Sequence, residues 1–374
     1  MIETRENPLI KPVRRGLRPL PVHVGFAMAE HAKLQQTGDS AQADLTDMLT
    51  GIRLYQDHPF QRGMPAPETV WRAGEVSLLH YPAATKKKTG APVVMIPSMI
   101  NRSHILDLMP ECSLARWTAG QGHDVYLLDW GQPADDKQLC GMEAVIGQRL
   151  IPALRFAAEH AARPVCALGY CMGGTLLAGA AAACLEQLEK LVFLASPWDF
   201  HAGDKILSVQ VRLGTPSALQ MMERGNVLPA DWIQSVFAAV NADRAVHKFA
   251  RFSRMDQDSA QARLFVAVED WLNDGLDMPC GVADVCIRQW YGDNRPGRGT
   301  WRVGGANVDL SRIGRPSLVV APARDRLVPA ESSLAMLEHL PHAESFQPDC
   351  GHIGMITGRR AAEQVWRPLA AWVG

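Results

Sequence analysis

Residues 169–174 read Gly-Tyr-Cys-Met-Gly-Gly, a spacing typical of a nucleophile elbow. The segment follows an apolar run and precedes an alanine-rich stretch, as a turn between a strand and a helix would. Glycines two residues before and after Cys171 remove side chains that would clash in such a sharp turn. The start of the following helix offers free N–H groups and positive potential, which favour a thiolate and a developing oxyanion. The pattern predicts that Cys171 is a nucleophile; the alternative is a structural cysteine at a tight turn.

Two later residues complete a candidate catalytic triad. Asp325 comes shortly after the apolar run 318–321, and His352 lies between glycines near the C-terminus. A nucleophile of this kind needs a histidine base and an acid that orients it, and the chain order in this arrangement is nucleophile, acid, histidine. Taken singly, Asp325 would be interpreted first as a turn or helix-cap residue, and His352 first as a loop histidine. Their order and context favour the triad.

The loop after the apolar run 93–96 is a candidate for one half of an oxyanion hole. It reads Pro-Ser-Met-Ile-Asn-Arg over 97–102, and this loop supplies the second oxyanion N–H in folds built around such an elbow. We expect the backbone N–H groups of Met99 and Met172 to form the hole. Asp129 ends the next apolar run, and there we favour a structural role that satisfies loop backbone groups.

The elements that must position these residues alternate along the chain. Short runs that are apolar throughout, separated by helical patterns, are typical of a parallel sheet covered on both faces. With the elbow, the pattern predicts an α/β-hydrolase fold. The predicted strands are 75–81, 93–96, 125–128, 165–168, 191–194 and 318–321, and the predicted helices are 113–120, 142–160, 172–188 and 361–372.

The alternation of predicted strands and helices divides the chain into four predicted parts. Residues 1–70 form a helical and irregular N-terminal segment, and 71–199 form the first part of the core. The alternation breaks over 200–307, which is rich in Met, Phe, Trp and Asp; we interpret it as a cap or lid subdomain. Residues 308–374 return to the core. Such an insertion would lie over the carboxyl ends of the strands, where open α/β sheets bind ligands.

Composition excludes several classes of function. The net charge of -1 over 374 residues gives no overall field that attracts nucleic acid, so we expect no nucleic-acid partner. The eight cysteines show no metal-ligand spacing, so we expect no metal and read them as reduced thiols. Neither a secretory signal nor a run of about 18–20 apolar residues is visible. We therefore expect a cytoplasmic protein without a transmembrane segment.

From about residue 58 to the C-terminus the sequence resembles the poly(3-hydroxyalkanoate) synthases, which share the α/β-hydrolase fold. The matching pieces are His-Pro-Phe at 58–60, Ile-Pro-Ser-Met-Ile-Asn-Arg at 96–102, Ile-Leu-Asp-Leu at 105–108, Leu-Asp-Trp-Gly at 128–131, Gly-Tyr-Cys-Met-Gly-Gly-Thr at 169–175, Pro-Trp-Asp-Phe at 197–200, Val-Asp-Leu at 308–310, Asp325 with Val-Pro at 328–329, and Gly-His-Ile-Gly at 351–354. The chain departs from the usual family pattern at Arg326, where many members have histidine.

The resemblance implies an acyltransferase that joins 3-hydroxyacyl units from CoA thioesters into a polyester and releases CoA. Cys171 would carry the acyl chain, His352 would activate the thiol, and Asp325 would orient His352 or help to activate the incoming hydroxyl group. No cofactor is implied beyond the CoA thioester, which is the substrate. The short chain is nearest to the catalytic subunit of two-subunit forms, which implies a homodimer or a partner subunit and association with the polyester granule surface.

Two other functions stay open on the sequence alone. A thioesterase or esterase of the same fold could use the same Cys-His-Asp triad, because hydrolysis differs from acyl transfer only in the acceptor. A synthase-like protein that has lost turnover could instead associate with granules without catalysing a reaction. The presence of all three triad residues favours an enzyme.

Overall fold

A mostly parallel sheet forms the core of the protein in a computed structural model, which describes residues 14, 16–37, 41–84, 90–240 and 244–374. The sheet has eight strands among these residues, in the order β1-β2-β4-β3-β5-β6-β11-β12. Its strands are β1 Glu68–Ala73, β2 Val76–Tyr81, β3 Val93–Ile96, β4 Val125–Asp129, β5 Val165–Tyr170, β6 Leu188–Leu194, β11 Ser317–Val320 and β12 Ala343–Phe346. Two short antiparallel pairs lie outside it: β7 Val227–Leu228 with β8 Met278–Pro279, and β9 Arg302–Val303 with β10 Ala306–Asn307.

Helices flank the sheet and build the rest of the chain. They are α1 Leu20–Thr37, α2 Ala41–Asp57, α3 Leu114–Gly120, α4 Met142–Ala144, α5 Ile151–His160, α6 Met172–Ala181, α7 Ile206–Gly225, α8 Ala230–Val240, α9 Arg244–Ser253, α10 Ala260–Asn273, α11 Cys280–Asp284, α12 Ala330–Leu334, α13 Gly354–Thr357 and α14 Arg367–Val373. Wider π-helical turns continue α4 over Val145–Leu150 and α11 over Val285–Gly292. A third, over Ala362–Trp366, precedes α14.

The central strands are parallel and are buried on both faces, because the helices that connect parallel strands pack on the sheet. Every residue of β3, β5 and β11 is buried, which leaves no polar face for solvent, and helices cover such sheets. Strands β1 and β2 instead form an antiparallel hairpin, closed by a turn at Gly74, whose φ of 58° suits a residue without a side chain. The parallel sheet flanked by helices agrees with the predicted fold class.

The predicted elements were incomplete at the two edges of the sheet. The prediction missed β1 and β12, which are the edge strands. Their residues are partly exposed, so neither strand has the continuous apolar run on which the prediction depended. The predicted helix 172–188 was too long: α6 ends at Ala181, and Leu188 already begins β6.

The described residues divide into two compact units. One combines the residues up to Gln61 with those from 244 to Asn273, and the other contains the sheet, Arg62–Val240 and Asp274–Gly374. This division splits the predicted cap 200–307, because its middle third packs on α2 rather than on the sheet. The predicted domain boundaries at 70, 199 and 307 stay predictions, and residues 1–13 of the predicted N-terminal segment lie outside the described residues.

The smaller unit has its own core of aromatic and aliphatic side chains. Tyr55 of α2 packs against Phe249 of α9 with ring centroids 5.9 Å apart, and its hydroxyl donates to the Asp270 carboxylate of α10 at 2.8 Å. A side chain at Gly51 would collide with the backbone carbonyl of Phe249, so glycine allows α2 and α9 to approach closely. The contacts of α2 with α9 and α10 therefore hold together two segments of this unit that are far apart in the sequence.

In the part of the chain that the structure describes, no helix has both the length and the apolar character needed to cross a bilayer.

Candidate active site

Cys171 lies on the sharp turn that the sequence predicts. It comes between the last residue of β5 and the first residue of α6, with φ 56° and ψ -128°. This left-handed backbone conformation is unfavourable for a residue with a side chain, and such strain persists only where the surrounding structure enforces it. The Cys171 N–H donates to the Leu194 carbonyl of β6 at 2.9 Å, which fixes the turn to the sheet. The half-buried thiol is thereby held at the end of β5.

The glycines of the elbow are required by close backbone contacts. A Cβ atom at Gly169 would collide with the backbone of Gly174, and one at Gly174 would collide with the Ser196 hydroxyl. A Cβ at Gly173 would collide with the carbonyl oxygen of Ile96, at the end of β3. The glycines therefore allow the elbow, α6 and the end of β3 to pack within contact distance.

The register of the sheet brings three loops to the same edge. Tyr170 pairs with Leu194, Leu194 pairs with Val320, and Val320 pairs with Phe346, so β5, β6, β11 and β12 end at the same level. Because these strands are parallel, the loops that follow them emerge on one side. Cys171 follows β5, and the loops after β11 and β12 carry the other two candidate residues.

Asp325 and His352 form a short, buried hydrogen-bonded pair. The His352 Nδ1 atom lies 2.6 Å from Asp325 Oδ2, and the Asp325 side chain is fully buried. The other carboxylate oxygen, Oδ1, accepts the backbone N–H groups of Leu327 and Val328, each at 2.9 Å. These two bonds fix the carboxylate, so that Oδ2 faces the imidazole.

The surroundings of His352 stabilise its protonated form. Burial alone would lower the pKa of His352, but the negative charges of Asp325 and of a Cys171 thiolate, with side-chain hydrogen bonds to both residues, raise it well above its ordinary value. The influence of Cys171 on this pKa shows that the thiol lies close to the imidazole. The arrangement has the geometry of a thiol, a base that can take its proton, and a carboxylate that orients the base.

The loop with the second predicted oxyanion donor lies against the start of α6. Gly173 packs on the carbonyl groups of Ile96 and Pro97, two residues before Met99. Met172 is the first residue of α6, so its N–H has no partner within the helix. The roles of the Met99 and Met172 N–H groups stay predictions.

A segment from the predicted cap is joined to the same loop. The Leu276 N–H donates to the Ile100 carbonyl at 2.9 Å, and Asn101 forms an isolated antiparallel bridge with Gly275. The Trp130 indole N–H donates to the Pro97 carbonyl at 2.9 Å. Backbone and indole contacts therefore fix the loop on either side of Met99.

Comparison with known proteins finds similarity to poly(3-hydroxyalkanoate) polymerases. The family described as "Poly-beta-hydroxybutyrate polymerase (PhaC) N-terminus" matches residues 62–118. The protein named poly(3-hydroxyalkanoate) polymerase subunit PhaC from Haloferax mediterranei is 27% identical over 83% of this chain and 64% of its own length. Its namesake from Synechocystis is 24% identical over 95% of both chains. The chain is related to the poly(3-hydroxyalkanoate) polymerases.

The length of the match differs among these polymerases. The chain spans less than two thirds of the Haloferax mediterranei relative, with 64% covered, but 73% of the one from Haloarcula marismortui. A solved structure of a thermophilic esterase from Thermogutta terrifontis, 16% identical, covers 84% of this chain with a TM-score of 0.50. That likeness confirms the predicted α/β-hydrolase fold.

Sequence reasoning missed the contacts made by Tyr170. Its hydroxyl donates to the His352 carbonyl oxygen at 3.2 Å, and its ring stacks on the imidazole with centroids 5.3 Å apart and planes at 26°. The only available signal was its position directly before the candidate nucleophile. The backbone donors to Asp325 were also missed, because a sequence pattern does not show where backbone N–H groups point.

Two other residues near the site have contacts that suit structural roles. Asp129 accepts the Gly131 N–H at 3.2 Å across the turn after β4, in line with the structural role favoured for it. Burial raises the pKa of Cys350, two residues before His352, to about 11, so this thiol is protonated at neutral pH. Among the described residues, no cluster of His, Cys, Asp and Glu side chains is arranged to hold a metal ion.

Proposed function

We propose that this chain is an acyltransferase that polymerises 3-hydroxyacyl-CoA into polyhydroxyalkanoate and releases CoA. The observation that carries the proposal is the match to a polymerase subunit over 95% of both chains, with a strained cysteine and a buried His–Asp pair at one edge of the sheet. Cys171 is the nucleophile, His352 the base, and Asp325 the residue that orients His352.

In the first step of the proposed reaction, the Cys171 sulfur attacks the thioester carbonyl carbon of the substrate. His352 accepts the thiol proton, and the Asp325 carboxylate stabilises the imidazolium that forms. The Met99 and Met172 N–H groups stabilise the negative oxygen of the tetrahedral intermediate. The carbon–sulfur bond to CoA then breaks, CoA leaves with the proton from His352, and an acyl thioester remains on Cys171.

In the second step, the 3-hydroxyl group of another substrate molecule attacks the acyl carbon on Cys171. His352 accepts the hydroxyl proton and returns it to the Cys171 sulfur as that thioester breaks, so the free thiol is regenerated. The product is an ester-linked acyl-CoA one unit longer. Transfer of this product back to Cys171 releases CoA and restores the acyl-enzyme. A thioester suits the reaction because it keeps the acyl group activated for attack by an alcohol.

Two further parts of the proposal concern a partner for this chain and the surface of the polyester granule. The relatives from Haloferax mediterranei, Haloarcula marismortui and Synechocystis are each named as a polymerase subunit, which supports a partner subunit or a second copy for this chain. A product that grows as an insoluble polyester supports association with the granule surface. Size-exclusion chromatography with light scattering, with and without substrate, measures the first; co-sedimentation with polyester granules measures the second.

The test of the proposed reaction is incubation of the purified chain with 3-hydroxybutyryl-CoA. Released CoA is measured by chromatography, and the acyl product is measured as polyester or as free 3-hydroxybutyrate. Cys171→Ala should abolish CoA release. Cys140→Ala is the matched control, because Cys140 is exposed and is no part of the triad, and it should retain the wild-type rate.

The products separate the proposal from its rivals. CoA release with oligomeric ester, absent in Cys171→Ala, supports the polymerase. CoA release with free 3-hydroxybutyrate alone would refute it in favour of a hydrolase. No release with any 3-hydroxyacyl-CoA of three to twelve carbons, alone or with a two-subunit polymerase's partner added, would refute catalysis by this chain.

A further inference from the structure

Tyr170 contacts His352 in two separate ways. The side chain is 2% exposed and lies at the end of β5, one residue before Cys171. Its hydroxyl donates to the backbone carbonyl of His352 at 3.2 Å. Its ring stacks on the imidazole with a centroid separation of 5.3 Å and an interplanar angle of 26°. The hydroxyl therefore holds the backbone of the histidine loop, while the ring contacts the side chain.

The stacked ring supplies a constraint that the hydrogen bond to Asp325 does not. The Asp325 carboxylate holds one edge of the imidazole through Nδ1, and a single bond in the ring plane does not act on the faces of the ring. A flat neighbour against the ring face opposes rotation of the ring, since side-chain orientation in a packed interior is set by contacts on every face. With both contacts, the opposite ring nitrogen stays directed at Cys171.

The same ring favours a positive charge on His352. The face of an aromatic ring carries negative potential and attracts a cation placed over it. Asp325 after β11 and Cys171 at the elbow act on the pKa of His352, and both of them and Cys350 act on the pKa of Tyr170. Burial and these neighbouring charges raise the pKa of Tyr170 well above its usual value, so its hydroxyl stays protonated and remains a donor.

We propose that Tyr170 is a positioning residue that holds the imidazole plane of His352 toward Cys171 and stabilises the imidazolium formed during acylation. The inference rests on the base role proposed for His352. It assigns separate functions to two parts of one side chain: the hydroxyl anchors the loop, and the ring orients and stabilises the charged histidine.

Two substitutions separate these functions. Tyr170→Phe removes the hydroxyl but keeps the stacked ring, so kcat should fall about fivefold, as for one lost hydrogen bond, with the pH profile unchanged. Tyr170→Leu removes the ring as well. It should lower kcat roughly tenfold further and move the acidic limb of the activity profile, which follows the pKa of the base His352, to lower pH, because the protonated imidazole loses a stabilising neighbour.

Tyr126→Phe is the matched control. Tyr126 is also buried and lies in β4, which is separated from β5 by β3. Its hydroxyl forms a hydrogen bond of 2.8 Å with the His160 Nδ1 atom. Removing this hydroxyl disturbs an equivalent tyrosine–histidine contact outside the site. The control should alter thermal stability to a similar degree as Tyr170→Phe while leaving kcat and the pH profile as in the wild type.

The pKa of His352, followed through its imidazole NMR resonances in the absence of substrate, is the direct readout. It should fall in Tyr170→Leu and stay at the wild-type value in Tyr170→Phe. If Tyr170→Leu does not fold, pentafluorophenylalanine at position 170 replaces it, because this ring matches phenylalanine in shape but reverses the potential of the ring face.

The outcomes are distinct from those of the proposed function. An unchanged pKa of His352 in folded Tyr170→Leu, or an equal fall in pKa with phenylalanine and pentafluorophenylalanine, would overturn the role of the ring. Because the NMR titration needs no substrate, it tests Tyr170 even where the CoA assay gives a hydrolase or no turnover.

Discussion

Asp325→Asn should inactivate the site by forcing the wrong tautomer on His352. In the wild type, Asp325 Oδ1 accepts the N–H groups of Leu327 and Val328, each at 2.9 Å, and Oδ2 faces the His352 Nδ1 atom at 2.6 Å. An amide nitrogen cannot accept an N–H group, so the asparagine oxygen must take the Oδ1 position. Its NH2 group then faces Nδ1, which has to become an acceptor.

The expected loss of acylation rate in Asp325→Asn follows from the position of the proton on neutral His352. With Nδ1 unprotonated, the proton of neutral His352 lies on Nε2, the nitrogen that must accept the thiol proton of Cys171. The substitution removes general-base catalysis and also the negative charge that stabilises the imidazolium. Loss of these two contributions lowers the rate of acylation by roughly 10²–10⁴-fold. Because asparagine has nearly the same volume as aspartate, the fold should be preserved.

The assay is the rate of CoA release in a single turnover with excess enzyme, with thermal unfolding as a check of the fold. Asp309→Asn is the matched control: Asp309 is exposed, and its Oδ1 accepts the Ser311 N–H at 2.9 Å, a bond that asparagine can keep. The control should react at the wild-type rate. A folded Asp325→Asn variant within threefold of the wild-type rate would show that the tautomer argument is wrong.

Three further predictions concern pH, packing and the second thiol of the site. Because the pKa of His352 is raised on folding, its ion pair stabilises the protein fully below the unfolded value of about 6.5, and this contribution is lost as pH rises through the raised folded value. Urea unfolding at a series of pH values should show the stability difference between wild type and His352→Gln shrinking in that direction. Gly173→Ala should destabilise the protein by about 3 kcal/mol in urea unfolding, because its Cβ would collide with the Ile96 carbonyl. Cys350→Ser should keep the wild-type rate of CoA release, because a thiol with a pKa of about 11 is protonated at neutral pH.

Each of these three predictions has a matched control or an outcome that would contradict it. Gly147→Ala is the matched glycine control, since nothing lies within 4 Å of its added Cβ, and it should be neutral. Equal losses of stability in the two glycine variants would contradict the packing argument. A pH-independent stability difference for His352→Gln would contradict the ion pair, and loss of activity in Cys350→Ser would place a second functional thiol in the site.

The sequence predicted the elbow well because the determinants of a tight turn are local. Glycines at 169, 173 and 174 lie within three residues of Cys171, and each allows a contact that a Cβ would block. The order of the triad residues was likewise visible, since each comes shortly after an element end. What the sequence could not supply was any distance between residues that are 27 or more positions apart, such as Asp325 and His352.

The fold was predicted best where burial is most complete. The strands β3, β5 and β11 are buried throughout, and each appeared in the sequence as a continuous apolar run. The edge strands β1 and β12 were missed because half-buried strands mix polar and apolar residues. The packing of α9 on α2 was not visible in the sequence, because it joins segments that are almost two hundred residues apart.

The sequence by itself therefore determined the candidate nucleophile, the chain order of the triad and the class of fold. Those features depend on turn stereochemistry and on strand burial, which act over a few neighbouring residues. Only the tertiary structure decided that β12 lies beside β11, so that the loop with His352 reaches Asp325. It alone placed the ring of Tyr170 against the imidazole. Strand order and ring contacts arise from packing between distant segments, and no local pattern encodes them.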